Sequence, residues 1–118
     1  MSFNRNEMST ADMFLHVYSG IPKEELDRKI NDLLTTWGYK ITEGQSGQII
    51  YEKGNRTMRI LFGAFVKYFK ISVQTIVSIP DEIKCEVRSQ TSGFSGGLIG
   101  MNQVKAEIRT LFSAFQDL

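Results

Sequence analysis

The chain of 118 residues has the length of one domain with a buried core. Hydrophobic residues make up 42% and charged residues 23%, which is ordinary for a globular protein, and a net charge of +1 argues against electrostatic steering by the whole molecule. The single cysteine, Cys85, excludes an internal disulfide, and no apolar run approaches the roughly 18 residues of a transmembrane helix.

The first thirteen residues lack the apolar segment of a signal peptide. Together with the lone cysteine, this predicts a reducing, cytoplasmic location. Residues 1–11 are polar and aperiodic, so we expect them to form a loose N-terminal arm of the single domain spanning 1–118. Met13–Tyr18 is apolar and predicts a first strand, which Ser19 and Gly20 end.

Residues 21–37 predict an amphipathic helix. Pro22 suits the first turn, and Gly38 suits the left-handed residue that ends a helix. The apolar residues recur at helical spacing and form one stripe: Leu26, Ile30, Leu33, Leu34 and Trp37. The other side carries charged residues and is expected to face solvent.

The strongest strand signal is Phe69–Ile79, where apolar residues alternate with Lys70, Ser72 and Gln74. Residues 39–43, 48–53 and 83–87 also alternate. Glycines at 54 and 63 predict two hairpin loops with a further strand between them, which places Tyr51 opposite Met58.

Residues 101–115 repeat apolar residues at helical spacing and predict a second amphipathic helix. The expected order is β-α-β-β-β-β-β-α. This is an α+β fold in which about five to six strands form a single antiparallel meander, with the N-terminal and C-terminal helices on one face. The arrangement resembles, at the level of the fold, the helix-grip and TATA-binding-protein-like architectures, in which a curved antiparallel sheet carries long helices on one side.

No catalytic constellation is recognisable in the sequence. The chain has one histidine, His16, and one cysteine, Cys85, each among apolar neighbours on a predicted strand. We expect Cys85 to be a buried structural residue and His16 to be either structural or solvent-facing. Metal-ligand spacings such as C-x-x-C are absent from the sequence, and we expect neither a metal nor a cofactor. The helix carboxylates, including Asp27, are interpreted as a solvated face.

The leading hypothesis is therefore a small non-enzymatic binding or interaction domain. Its ligand would be apolar or amphipathic and would lie between the sheet and the C-terminal helix, against Phe65, Phe69, Phe94, Leu98 and Met101. The Gly-rich segment 92–100 is either a lid over that space, an anion site at Ser95, Gly96 and Gly97, or a tight strand-to-helix connection.

Two alternatives use the polar face of the sheet. The first is nucleic-acid binding through a basic face formed by Lys40, Arg59, Lys70, Lys84 and Arg88. The second is a homo-oligomeric structural module, in which that face or an edge strand pairs with a second copy or another protein.

Overall fold

The computed structural model describes residues 3–45, 48–54, 68–79, 81–90 and 97–118, with the backbone alone for 45, 68, 79 and 97–101. Within these residues, six strands form one antiparallel sheet: β1 (Phe3–Ser9), β2 (Met13–Ser19), β3 (Lys40–Gln45), β4 (Gln48–Gly54), β5 (Tyr68–Ile79) and β6 (Glu82–Ser89). Two helices, α1 (Lys23–Thr36) and α2 (Gly97–Gln116), complete the α+β fold.

The strand order across the sheet is β1-β2-β6-β5-β4-β3. Strands β3 to β6 form the predicted antiparallel meander, and β2 then pairs with β6. The chain crosses from β2 to the far edge of the sheet through α1. The element order is β-β-α-β-β-β-β-α, so α1 follows two strands rather than one.

The predicted loose arm is wrong, because Phe3–Ser9 forms the edge strand β1. Most residues of this edge strand are exposed and polar. Two irregularities in its pairing with β2 also break the alternation of apolar and polar residues that marks a strand. Phe3 holds β1 in place, because its ring lies edge-on against His16 and Tyr18.

The predicted pairing of Tyr51 with Met58 is also wrong. Tyr51 lies opposite Ile71, and β4 already has β5 on one side and β3 on the other. No strand can therefore lie between β4 and β5 in the sheet. Met58 itself lies outside the described residues.

The alternation along β5 is confirmed. Phe69, Ile71 and Val73 are buried on the face that carries the helices. The same face receives Ile83, Cys85 and Val87 of β6, as expected, through an irregularity in the β5–β6 pairing next to Val77. Val77 is 53% exposed, because β5 continues past the start of β4.

Both helices cover this face of the sheet. Helix α1 buries Leu26, Ile30 and Leu34. It ends at Thr36, and Gly38, two residues later, has the expected left-handed conformation with a φ of +93°. Helix α2 buries the side chains of Val104, Ile108, Leu111 and Phe115. It begins at Gly97, four residues earlier than predicted, so part of the Gly-rich segment belongs to its first turn.

Candidate functional site

The residues predicted to line an apolar ligand site are only partly placed. Phe69 lies on the inner face of β5, is 5% exposed and packs in the core. Leu98 and Met101 lie in the first turns of α2, where the backbone alone is described. Phe65 and Phe94 lie outside the described residues. Binding by this set stays a prediction.

A polar cluster that the sequence did not reveal lies beside Phe69. The Lys53 ammonium is 2.8 Å from Glu107 Oε2 on α2, and it lies over the rings of Tyr39 and Phe69 at 4.8 and 5.4 Å from their centroids. The Tyr39 hydroxyl donates to the same carboxylate oxygen at 2.7 Å. The charges of Lys53 and Glu107 neutralise each other. The cluster therefore links β4 to α2 and offers no unpaired charge to a ligand.

Of the anion site predicted at the Gly-rich segment, Gly97 is the first residue of α2, while Ser95 and Gly96 lie outside the described residues. Gly97 lies in the first turn of a helix, where backbone N–H groups lack acceptors within the helix. No second feature of the described residues points to an anion there.

Four residues of the predicted basic face lie on the outer face of the sheet, away from the helices. In the pairing register, Lys40 lies opposite Glu52 and Glu52 opposite Lys70, while Arg88 is aligned with Ser72. The fourth residue, Lys84, is 3.2 Å from Glu7.

Carboxylates neutralise much of this face. Besides the pair between Lys84 and Glu7, Arg88 lies 3.4 Å from Glu86. These pairs reduce the positive charge available to a phosphate backbone. Arg59 lies outside the described residues, and nucleic-acid binding and homo-oligomerisation stay predictions.

The lone histidine and the lone cysteine are direct cross-strand neighbours, which sequence alone could not establish. His16 of β2 is opposite Cys85 of β6, and both side chains are fully buried. Burial raises the pKa of the Cys85 thiol, mainly through desolvation. A thiol that stays protonated and is closed to solvent is a poor nucleophile, so this pair does not have the properties of a catalytic dyad.

His16 can be buried because both of its ring nitrogens have hydrogen-bond partners. Its Nε2–H donates to the Phe112 carbonyl at 3.0 Å, and Nδ1 lies 3.1 Å from Asn6 Nδ2. The Asn6 amide nitrogen also lies 2.9 and 3.1 Å from the carbonyls of Met8 and Leu15, which fixes the amide orientation, and its two N–H groups are shared among these carbonyls and Nδ1. His16 is therefore neutral, and desolvation lowers its pKa although the Phe112 carbonyl opposes this.

The sequence predicted that the helix carboxylates form a solvated face, but one of them is withdrawn from solvent. Asp27 is half-buried and accepts hydrogen bonds from the Thr75 hydroxyl and the Lys23 ammonium, both at 2.8 Å. With Tyr51 and Ile49 it borders a cavity of about 10 Å³, which has room for about one water and none for a substrate. Burial, and then the nearby Asp27 charge, raise the pKa of Tyr51 to about 12.

A groove of about 440 Å³ lies between the β1–β2 turn and α2, a volume within the roughly 300–1,000 Å³ typical of small-ligand sites. One wall is the turn Ser9–Ala11, and the other is one side of α2. The apolar lining comes from Ile108, which is 4% exposed, from half-buried Phe112 and from Ala11.

Both walls of the groove are held in place. In the turn, Thr10 N–H donates to the Met13 carbonyl at 2.9 Å, and Ser89 N–H of β6 donates to the Asp12 carbonyl at 2.7 Å. On the helix side, the Phe112 ring lies edge-on against Phe14 and His16, with centroids 5.5 and 4.5 Å away. The groove is therefore a preformed feature of the fold.

Two cations of α2, Lys105 and Arg109, line the rim of the groove. Both are exposed and one helical turn apart. Sequence reasoning missed this site, because its two walls come from opposite ends of the chain. The only local signal was a pair of basic residues four positions apart beside the apolar stripe of the helix.

The part of the chain that the structure describes contains no group of three or more metal-ligating side chains. Within the same ranges, neither helix has the length and apolar character needed to cross a membrane. No protein-family model matches the chain, and no curated protein is detectably similar to it.

Proposed function

We propose that the protein is a non-enzymatic binding domain that takes a small amphipathic ligand in the groove between the β1–β2 turn and α2. The observation that carries the proposal is a preformed groove of about 440 Å³ with an apolar lining and a polar rim. The ligand class agrees with the leading hypothesis from the sequence, whereas the position differs from the Phe69 region.

The chemistry of the lining supports binding rather than catalysis. Lys105, Arg109, Ser9 and Thr10 supply charge and hydroxyl groups. The one histidine and the one cysteine are both buried and do not line the groove. Neither of them is therefore available in the groove as a nucleophile or a general base.

The proposal is tested by blocking the groove. Ala11 is exposed and lines the groove at the turn, so Ala11→Trp fills part of the space without adding charge. We expect decanoate, titrated below its micelle-forming concentration and followed by isothermal calorimetry, to bind the natural chain saturably. We expect Ala11→Trp to weaken that binding roughly tenfold or more, because the apolar contact area is lost.

The matched control is Ala106→Trp, which adds the same ring to an exposed position of α2 that does not line the groove. It should leave decanoate binding unchanged. Thermal unfolding of both variants checks that the fold is intact. Equal weakening by both variants, or absence of saturable binding by the natural chain, would contradict the proposal.

A further inference from the structure

Within the described ranges, the two cations of the groove differ from most other basic residues, because neither is paired with an acid. Among the described residues, carboxylates lie within ion-pair distance of six basic side chains: Arg5, Lys23, Arg28, Lys53, Lys84 and Arg88. Lys105 and Arg109 make no such pair. Lys29 and Lys40 also lack an ion pair in the described ranges, but they line no described cavity, whereas Lys105 and Arg109 line the groove.

The spacing of the two cations is locally unfavourable. Like charges four residues apart on a helix repel each other and destabilise it by a few tenths of a kcal/mol. Glu107, the nearest acid on the helix, does not relieve this repulsion, because it pairs with Lys53. An anion between Lys105 and Arg109 would convert the repulsion into two attractive contacts.

The facing wall supplies a neutral donor. Ser9 lines the groove, and its hydroxyl has no hydrogen-bond partner among the described residues. The Thr10 hydroxyl is already used, since it donates to Asp12 Oδ1 at 2.8 Å. Asp12 is not part of the groove lining. An anion in the groove therefore has two cations on one side and a free hydroxyl on the other.

We propose that the ligand of this groove carries a single anionic head, a carboxylate or a phosphate, held by Lys105, Arg109 and Ser9, with an apolar tail over Ile108 and Phe112. This inference rests on the proposed function and names the chemical class of its ligand. Carboxylate and phosphate both accept two hydrogen bonds from an arginine fork and pair with an ammonium, so the two heads share the recognition chemistry.

The test compares three probes with ten carbon atoms each, decanoate, decyl phosphate and decanol, with inorganic phosphate as a head without a tail. Dissociation constants are measured by calorimetry for the natural chain, for Lys105→Gln, for Arg109→Gln and for the double variant. The control is Lys40→Gln, which removes one exposed positive charge from the outer face of the sheet.

We expect the natural chain to bind decanoate or decyl phosphate at least tenfold more tightly than decanol. Each single variant should weaken the anionic probe roughly tenfold, as expected for loss of one charge-assisted hydrogen bond. Lys40→Gln should leave the affinity for the anionic probe unchanged, and the affinity for decanol should be the same in every variant. The preference between decanoate and decyl phosphate identifies the head, and weak binding of inorganic phosphate shows that the tail contributes.

Two results would overturn the inference while leaving the groove proposal standing. One is decanol binding as tightly as the anionic probes, and the other is an unchanged affinity for anions in the double variant. Failure of all four probes to bind the natural chain would instead remove the proposed function together with the inference. Since all three positions substituted here are exposed, the variants are expected to fold, and thermal unfolding verifies this.

Discussion

His16 shows how a single buried side chain connects three elements. It lies on β2, donates to the backbone of α2 and accepts from Asn6 of β1. The groups packed around it are the rings of Phe3, Phe14, Tyr18 and Phe112, and no carboxylate of the described residues contacts it. A charge on this imidazole would therefore be buried without compensation.

The neutral state of His16 makes stability depend on pH. The pKa of His16 in the folded chain lies below 6.5, the value that applies when the chain is unfolded. As the pH falls through 6.5, the unfolded chain therefore binds more protons than the folded chain, which favours unfolding. We expect the free energy of unfolding, measured with urea, to decrease from about pH 7.5 to pH 5.5. Carboxylates contribute little there, because their ordinary pKa values lie near 4.

The control for this pH dependence is His16→Phe, which keeps an aromatic ring and cannot be protonated. It should cost about 1–3 kcal/mol at pH 7.5, because the Phe112 carbonyl and the Asn6 amide each lose a partner. The stability of this variant should be nearly constant between pH 7.5 and 5.5. A slope equal to that of the natural chain would show that another group is responsible.

At the scale of elements, α2 combines two roles on different sides. One side buries Val104, Ile108 and Leu111 in the core, and the rim of the groove carries Lys105 and Arg109. The carboxyl end of the helix is satisfied from the sheet, since the Tyr18 hydroxyl donates to the Phe115 carbonyl at 2.6 Å.

This division predicts opposite effects of one substitution on stability and binding. Lys105→Glu replaces a repulsive pair with a favourable acid–base pair to Arg109, so it should stabilise the free protein by roughly 0.4–1 kcal/mol in urea unfolding. The same change should abolish binding of the anionic probe. Lys105→Gln should give about half the stabilisation, and a loss of stability in both variants would contradict this account of α2.

The helices and the central strand could be predicted from the sequence because their signals are local. The alternation through Ile71 and Val73, and the stripe through Leu26 and Ile30, arise from burial of one face only. β1 could not be predicted, because an exposed edge strand with irregular pairing keeps little alternation. The position of α2 relative to the β1–β2 turn was equally hidden, since no local pattern encodes contacts across about a hundred residues.

At the scale of the whole molecule, the strand order creates the groove. β2 pairs with β6, and Ser89 at the end of β6 holds the β1–β2 turn. Helix α2 follows β6 in the chain and returns over β2, where Phe112 and Phe115 meet His16 and Tyr18. The sequence left the place of the strand Met13–Tyr18 in the sheet open, so it could not predict this contact between the first hairpin and the last helix.

The most direct test of the account is the position of the bound probe. Isotope-filtered nuclear Overhauser spectra of the labelled protein with unlabelled decanoate report which side chains lie within about 5 Å of the alkyl protons. We predict contacts from the tail to the Phe112 ring and the Ala11 methyl group, which line the groove. Contacts to Phe69 instead would place the ligand between the sheet and the start of α2, and would contradict the account.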